Sequence, residues 1–293
     1  MSGCGAPAAT TADPVPSSAG QRWELVFRDD FDGAAGERPA AANWRFDLGK
    51  CYPGCYAPGW GTGEIETVTD DPRNVSLDGA GHLAITPRRA KDGSWTSGRI
   101  ESQRSDFAAP AHGTLRVEGA LRLPDVDPRT GAGYWPAVWM MGEPIRTKGY
   151  TGWPQWGELD LVEQVNGAEG YHSAMHCGSL PDGPCREATA GLGSPELPCP
   201  GCREGFHTFA VELDRSVSPQ EVRFSLDGVV RHRVNEGQMG AQAWRDATDH
   251  GFFLILNVAI GGHLPNVRGG GPNAATVDGR PLLVDYLAVY ERG

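Results

Sequence analysis

The sequence predicts an all-β fold, a sandwich of many short strands forming one domain over residues 21–293. Three observations carry this prediction. The 293 residues include 41 glycines and 23 prolines, so few stretches could sustain a long helix. Apolar residues, 39% of the chain, recur in short runs, several of them strictly alternating with polar ones. Turn signals separate these runs, as Asp227-Gly228 does between Glu221–Leu226 and Val229-Val230. Single β sandwiches reach roughly 200–250 residues, and neither an internal repeat nor a second domain is visible.

Taken in order, residues 1–20 are Ala, Pro, Thr and Ser with almost no large apolar side chains, and are expected to be an unstructured leader or tether. Within it, Met1-Ser2-Gly3-Cys4-Gly5 resembles the end of a bacterial lipoprotein signal. Lipid attachment at Cys4 is one expectation, with Met1 standing in for a longer upstream segment. A disordered tail with an incidental cysteine is the other.

Trp23 to Phe27 reads as the first strand, followed by a turn at Asp29 to Gly33. Cys51 to Gly63 reads as a loop. Glu64 to Val68, Asn74-Val75, His82 to Pro87 and Trp95 to Ser102 are strand-like. Gly113 to Leu123 alternates cleanly, with Leu115, Val117, Leu121 and Leu123 on the apolar side. Trp135 to Met141 is apolar on both faces and predicts a central strand. Tyr171 to His176, Phe206 to Leu213 and Glu221 to Leu226 follow as strands, then a short helix over Ala241 to Thr248. Phe252 to Ala259 is a buried strand and Leu282 to Tyr290 closes the sheet. The long stretch from Cys177 to Gly205 reads as a loop tied down by cross-links.

The chemistry concentrates in Trp156-Gly157-Glu158-Leu159-Asp160-Leu161-Val162-Glu163. On a strand, Glu158 and Asp160 share a face, whereas strict alternation would send Glu163 to the other. A β-bulge near Leu161-Val162 would return Glu163 to the side of the other two acids. Three like charges on one short strand face repel, so a structural strand gains nothing from them. Their convergence points to a site, with a solvated acidic face as the bland alternative.

Net charge is −11, from 26 basic and 37 acidic residues, which disfavours nucleic acid, anionic lipid and polyanionic substrates. No apolar run is long enough to cross a bilayer. Of seven cysteines, six fall in close pairs: Cys51/Cys55, Cys177/Cys185 and Cys199/Cys202. Local disulfides in an exported protein are the preferred reading, and zinc held by the Cys-x3-Cys and Cys-x2-Cys pairs is the alternative. Among catalytic patterns, no Gly-x-Ser-x-Gly elbow suggests a serine esterase, and the eight histidines form no zinc-hydrolase signature.

Five segments in order make the chain resemble glycoside hydrolase family 16, in its bacterial laminarinase-like (endo-1,3-β-glucanase) branch. They are Trp135 to Gly142, Gly157 to Glu163, Phe206 to Phe209, Leu254 to Gly262 and Val284 to Tyr286. The resemblance spans about Trp23 to Tyr290. It implies a jelly roll of two curved antiparallel sheets with the sugar in the concave one, and a retaining mechanism with no catalytic cofactor. It assigns Glu158 as nucleophile, Asp160 as assisting acid and Glu163 as acid/base. The two residues between Asp160 and Glu163 match laminarinases, agarases and carrageenases. Lichenase-pattern enzymes and plant xyloglucan transferases have one residue fewer there.

Retention needs two carboxyls roughly 5–5.5 Å apart, one of them protonated near neutral pH. Repulsion between neighbouring charges is the expected cause of the raised pKa. Trp135, Trp139, Trp153 and Trp60 are candidate stacking platforms for sugar rings, with core packing as the alternative for each. Asn74, Arg99 and His176 fall at positions that look like sugar contacts in the family. The resemblance also implies one structural calcium held by Asp30, Gly81 (through its backbone) and Asp285. The expected partner is a neutral β-glucan, acted on by a secreted or envelope-tethered monomer. A galactan, agar-like or mixed-linkage polymer, a transglycosylase and a catalytically dead glucan-binding module are the alternatives.

Overall fold

The computed structural model describes residues 22–187 and 191–293. The proposed leader and Cys4 lie outside the described residues. Two antiparallel sheets carry the fold. One has seven strands in the spatial order Leu197–Pro198, Gly170–His176, Glu158–Glu163, Tyr134–Gly142, Phe252–Ile260, Arg99–Ser102 and Trp44–Phe46. The other has eight. Its path runs Val229–Asn235, Glu221–Leu226, His207–Asp214, Thr114–Arg122, Leu282–Arg292, Leu83–Ile85 and Val75–Leu77, and Glu24–Asp29 pairs with Leu282–Arg292 off that path. This is the jelly roll the sequence predicts.

The two sheets bury their facing sides in one core. Val138, Met140, Leu159, Leu161, Val162, Met175, Leu254, Leu256 and Val258 come from the seven-stranded sheet. Leu115, Val117, Phe209, Val211, Leu213, Phe224, Leu287 and Val289 come from the other. Alternation decides which residues these are, because successive strand side chains point to opposite faces. The Phe252–Ile260 strand is buried along its whole length because both faces are covered: Phe253 and Ile255 pack in a second cluster with Met141, Ile145, Trp139 and Trp156.

Three expectations shift by element. Trp95 to Ser102 is two strands: Trp95–Ser97 belongs to a small three-stranded sheet and Arg99–Ser102 to the seven-stranded one. Gly98 makes the transfer, since a Cβ there would sit 2.0 Å from Val75 Cγ2. Glu64 to Val68 shortens to Thr67–Val68, with Glu64 making only an isolated bridge to Gly261. The helix over Ala241–Thr248 forms as predicted, and two five-residue helices, Glu143–Thr147 and His263–Val267, are additions. The cysteines pair locally as Cys51–Cys55, Cys177–Cys185 and Cys199–Cys202, the preferred reading of the sequence. Among the described residues, no helix is long and apolar enough to cross a membrane.

Candidate active site

The acidic strand is irregular where the sequence predicts. Against its neighbour Tyr134–Gly142, Trp139 pairs with Asp160 and Val138 with Val162, so Leu161 has no partner. On the other side Ala174 pairs with Asp160 and His172 with Glu163, so Leu161 and Val162 together oppose Ser173. The Ser173 hydroxyl donates to the Leu161 carbonyl at 2.8 Å and closes the bulge. Leu161 and Val162 both enter the core, and Glu163 therefore returns to the face of Glu158 and Asp160. Gly157 sets the strand's start: its φ is 74°, and a Cβ would meet the Ala247 carbonyl oxygen at 2.2 Å.

Two tryptophans pin the outer carboxylates. The Trp135 indole N–H donates to Glu163 Oε1 at 2.9 Å, and the Trp153 N–H donates to Glu158 Oε2 at 2.9 Å. Trp153 is 38% exposed. His176, cross-strand from Glu158, brings its Nε2 to 3.3 Å from Asp160 Oδ2 and 4.0 Å from Glu158 Oε1. The 3.3 Å contact is in ion-pair range but poorly aligned for a hydrogen bond. Trp153 also leans on the His176 ring, with centroids 5.6 Å apart.

Electrostatics favour protons here. Burial first, and then the charge of Asp160, push both Glu158 and Glu163 up to about 8. Positive charge on His176 pulls both back, helped at Glu163 by the Trp135 N–H and Arg268. Burial also raises Asp160, with His176 opposing. Burial works against charge on His176 itself, but its contacts with Asp160 and Glu187 outweigh it, and the ring's pKa ends well above the usual imidazole value. The expected cause of the raised carboxyl pKa is thus reordered, with burial ahead of neighbouring charge.

The remaining predicted residues divide. Trp139 lies on the same face, its N–H donating to Asn257 Oδ1 at 2.8 Å. Its ring covers the Arg99 guanidinium, 4.9 Å from centroid to Cζ. Arg99 is only 3% exposed, paired with Asp47 at 3.1 Å and hydrogen-bonded to the Tyr52 hydroxyl. Trp60, 7% exposed, packs on the same guanidinium at 4.8 Å. Arg99 and Trp60 thus pack beneath Trp139, and the arginine has the carboxylate and ring neighbours that its burial requires. Asn74 is also buried. It is 3% exposed, its amide donates to the Thr86 carbonyl at 2.8 Å, and its oxygen accepts from the Thr69 hydroxyl at 2.7 Å.

Both candidate calcium carboxylates are about half exposed. Asp30 is already neutralised by Arg28 at 2.6 Å, and Asp285 has the His82 imidazole 3.9 Å away. Gly81, at φ 89°, turns the chain near Asp32. Sequence reasoning missed Glu187 and Asn257, the partners of His176 and Trp139. Pairing Cys177 with Cys185 was the available signal for Glu187, because it returns the chain to His176.

Comparison with known proteins bears on the whole chain. A family model described as "XgeA-like, catalytic GH16 domain" matches residues 96–189. The crystal structure of an endo-1,3-β-glucanase from Streptomyces sioyaensis is 53% identical, covering 96% of this chain and 99% of that one, with a TM-score of 0.89. The chain belongs to glycoside hydrolase family 16. A β-glucanase from Rhodothermus marinus is 29% identical, covering 98% of this chain and 90% of the relative. A keratan-sulfate endo-1,4-β-galactosidase from Sphingobacterium multivorum is 33% identical, covering 92% of this chain and 55% of the relative. This family 16 protein is a glycoside hydrolase.

Proposed function

We propose that the chain cleaves internal bonds of a neutral β-1,3-glucan with retention of configuration, as an exported monomer. One observation carries this reading: three carboxylates share one sheet face through a bulge, and the outer two are each held by an indole N–H. Trp135, Trp139 and Trp153 offer ring faces beside them for stacking on apolar sugar faces. The names of the Streptomyces and Rhodothermus relatives support the substrate class. Three disulfides suit an oxidising compartment. Tethering through a lipid at Cys4 is the further part of that reading.

In this mechanism a Glu158 oxygen attacks the anomeric carbon as the bond to the departing sugar breaks. The leaving oxygen takes the proton of Glu163. Water then attacks the same carbon from the opposite side and gives a proton to Glu163, and Glu158 departs. Glu163 enters protonated, in keeping with its raised pKa. Glu158 must ionise, and Asp160 and His176 are placed to share its proton and offset its charge. No step uses a metal ion or cofactor.

A second reading, a galactan as substrate, is favoured by the galactosidase relative. A net charge of −11 argues against its sulfated forms. Laminarin and unsulfated galactan, each followed by release of reducing ends, separate the two. Glu158→Ala should abolish hydrolysis, and azide added with an activated β-glucoside should yield the α-glycosyl azide. A β-azide, or undiminished activity, overturns the roles assigned here, and an inert wild type supports the binding module instead.

A further inference from the structure

We propose that Glu187 is a positioning residue of this site, holding His176 so that its far nitrogen stays turned on Asp160 and Glu158 and thereby setting the pH range of the reaction. The inference rests on the reading that Glu158 and Glu163 perform the chemistry.

Both oxygens of Glu187 are committed. Oε2 lies 2.7 Å from His176 Nδ1, and Oε1 accepts the Cys177 backbone N–H at 3.0 Å. The carboxylate is wholly buried. A buried carboxylate is costly unless a cation and hydrogen bonds compensate it, and His176 is the cation in contact. The loop is built to deliver it. Cys177 follows His176 directly, Cys185 is bridged back to Cys177, and Glu187 lies two residues further on. Gly191 closes the other side: a Cβ there would be 2.7 Å from His176 Nδ1. The ring has little room to turn.

Among the described residues, three carboxylates and one ring face this imidazole, and Glu163 acts on it from further along the strand. Glu187 comes from the loop, Asp160 and Glu158 from the acidic strand, and Trp153 from the turn before it. Glu187 fixes the proton on Nδ1, which leaves Nε2 to address Asp160 at 3.3 Å. Glu187 and Asp160 together keep the ring charged against its burial, and that charge eases ionisation of Glu158. Neutralising Glu187 removes one of the two supports. The ring then loses its proton within the working pH range, and Glu158 ionises at higher pH.

The test is the pH dependence of kcat/KM for wild type, Glu187→Gln and Glu187→Asp. The acid limb reports the group that must ionise. In Glu187→Gln it should move up by about one pH unit, equivalent to a tenfold loss on that limb. KM should change little, because Glu187 is buried away from substrate, and Glu187→Asp should recover part of the shift. An acid limb unmoved in Glu187→Gln overturns the proposal, whatever happens to kcat. Nitrogen chemical shifts of His176 in the wild type give an answer even if the variants fold poorly. Both ring nitrogens should carry protons at pH 7, and a neutral ring overturns the proposal. An enzyme inert on laminarin would refute the substrate reading while leaving this ring measurement decisive.

Discussion

Glu163 shows at a single residue why this site is costly to keep. Its side chain lies half-buried on the strand face, where burial and then Asp160 push its pKa up to about 8. The sign follows directly. A carboxyl whose folded pKa exceeds its unfolded one keeps its proton more readily when folded, so folding loses stability as pH rises from about 4.5 towards 8. Glu163→Gln keeps the shape and removes the charge. It should abolish turnover while raising stability by about 1–2 kcal/mol at pH 8 and by much less at pH 5. Denaturant melts at both pH values check this, and an equal gain at both would remove ionisation as the cause. At this scale the carboxylates were legible because three acids separated by aliphatics have few structural uses. The burial of Asn74, Arg99 and Trp60 was not, because only their partners, Thr86 for Asn74 and Asp47 for Arg99, reveal it.

Among the elements, the acidic strand depends on one extra residue. Deleting Val162 would restore plain alternation with Glu163 still on the face of Glu158 and Asp160, but one strand position nearer Asp160 and with one side chain fewer in the core. That variant should be destabilised and lose most of its activity, because the carboxyl spacing changes. Val162→Ala keeps the register and should lose only about 1–3 kcal/mol, with measurable activity retained. Comparable activity losses in the two would show that packing, not register, is the requirement. Gly157→Ala tests the strand's entry, since the left-handed φ of 74° and the 2.2 Å approach to Ala247 leave no room for a methyl. It should cost about 2–4 kcal/mol by thermal melt. The bulge could be read from sequence because the spacing of acids and leucines allowed only one way to satisfy both faces. Gly98, which hands the chain from one sheet to another, could not, because Trp95 to Ser102 alternates as one strand and the change of sheet comes from distant Val75.

Over the whole molecule two groups of ionisable side chains set opposite limits on stability. On the eight-stranded sheet, Glu212 and Asp214 pair with Arg223 at 2.8 Å, and Glu212 also pairs with Arg116 at 2.7 Å. Burial opposes them, but these partners hold both carboxyls below their usual range, so their contribution is present at neutral pH and is lost as pH falls below about 4. On the seven-stranded sheet the shifts run the other way. Glu158 and Glu163 sit near 8, and Asp47, raised by burial and Glu101, sits near 7. His176 is raised too, so its contribution is complete below about 6.5 and lost above its folded pKa. The three carboxyls make folding weaker as pH climbs from about 5 towards 8, and His176 adds to this above about 6.5. Maximum stability should therefore lie near pH 5, with on the order of 2–4 kcal/mol lost by pH 8. The Glu158→Gln/Glu163→Gln double variant should flatten most of that slope without touching the fall below pH 4. A wild-type curve that instead rises from pH 5 to 8 would mean that these carboxyls are already ionised in the folded protein, and that the acidic strand holds its charge by solvation rather than by keeping protons.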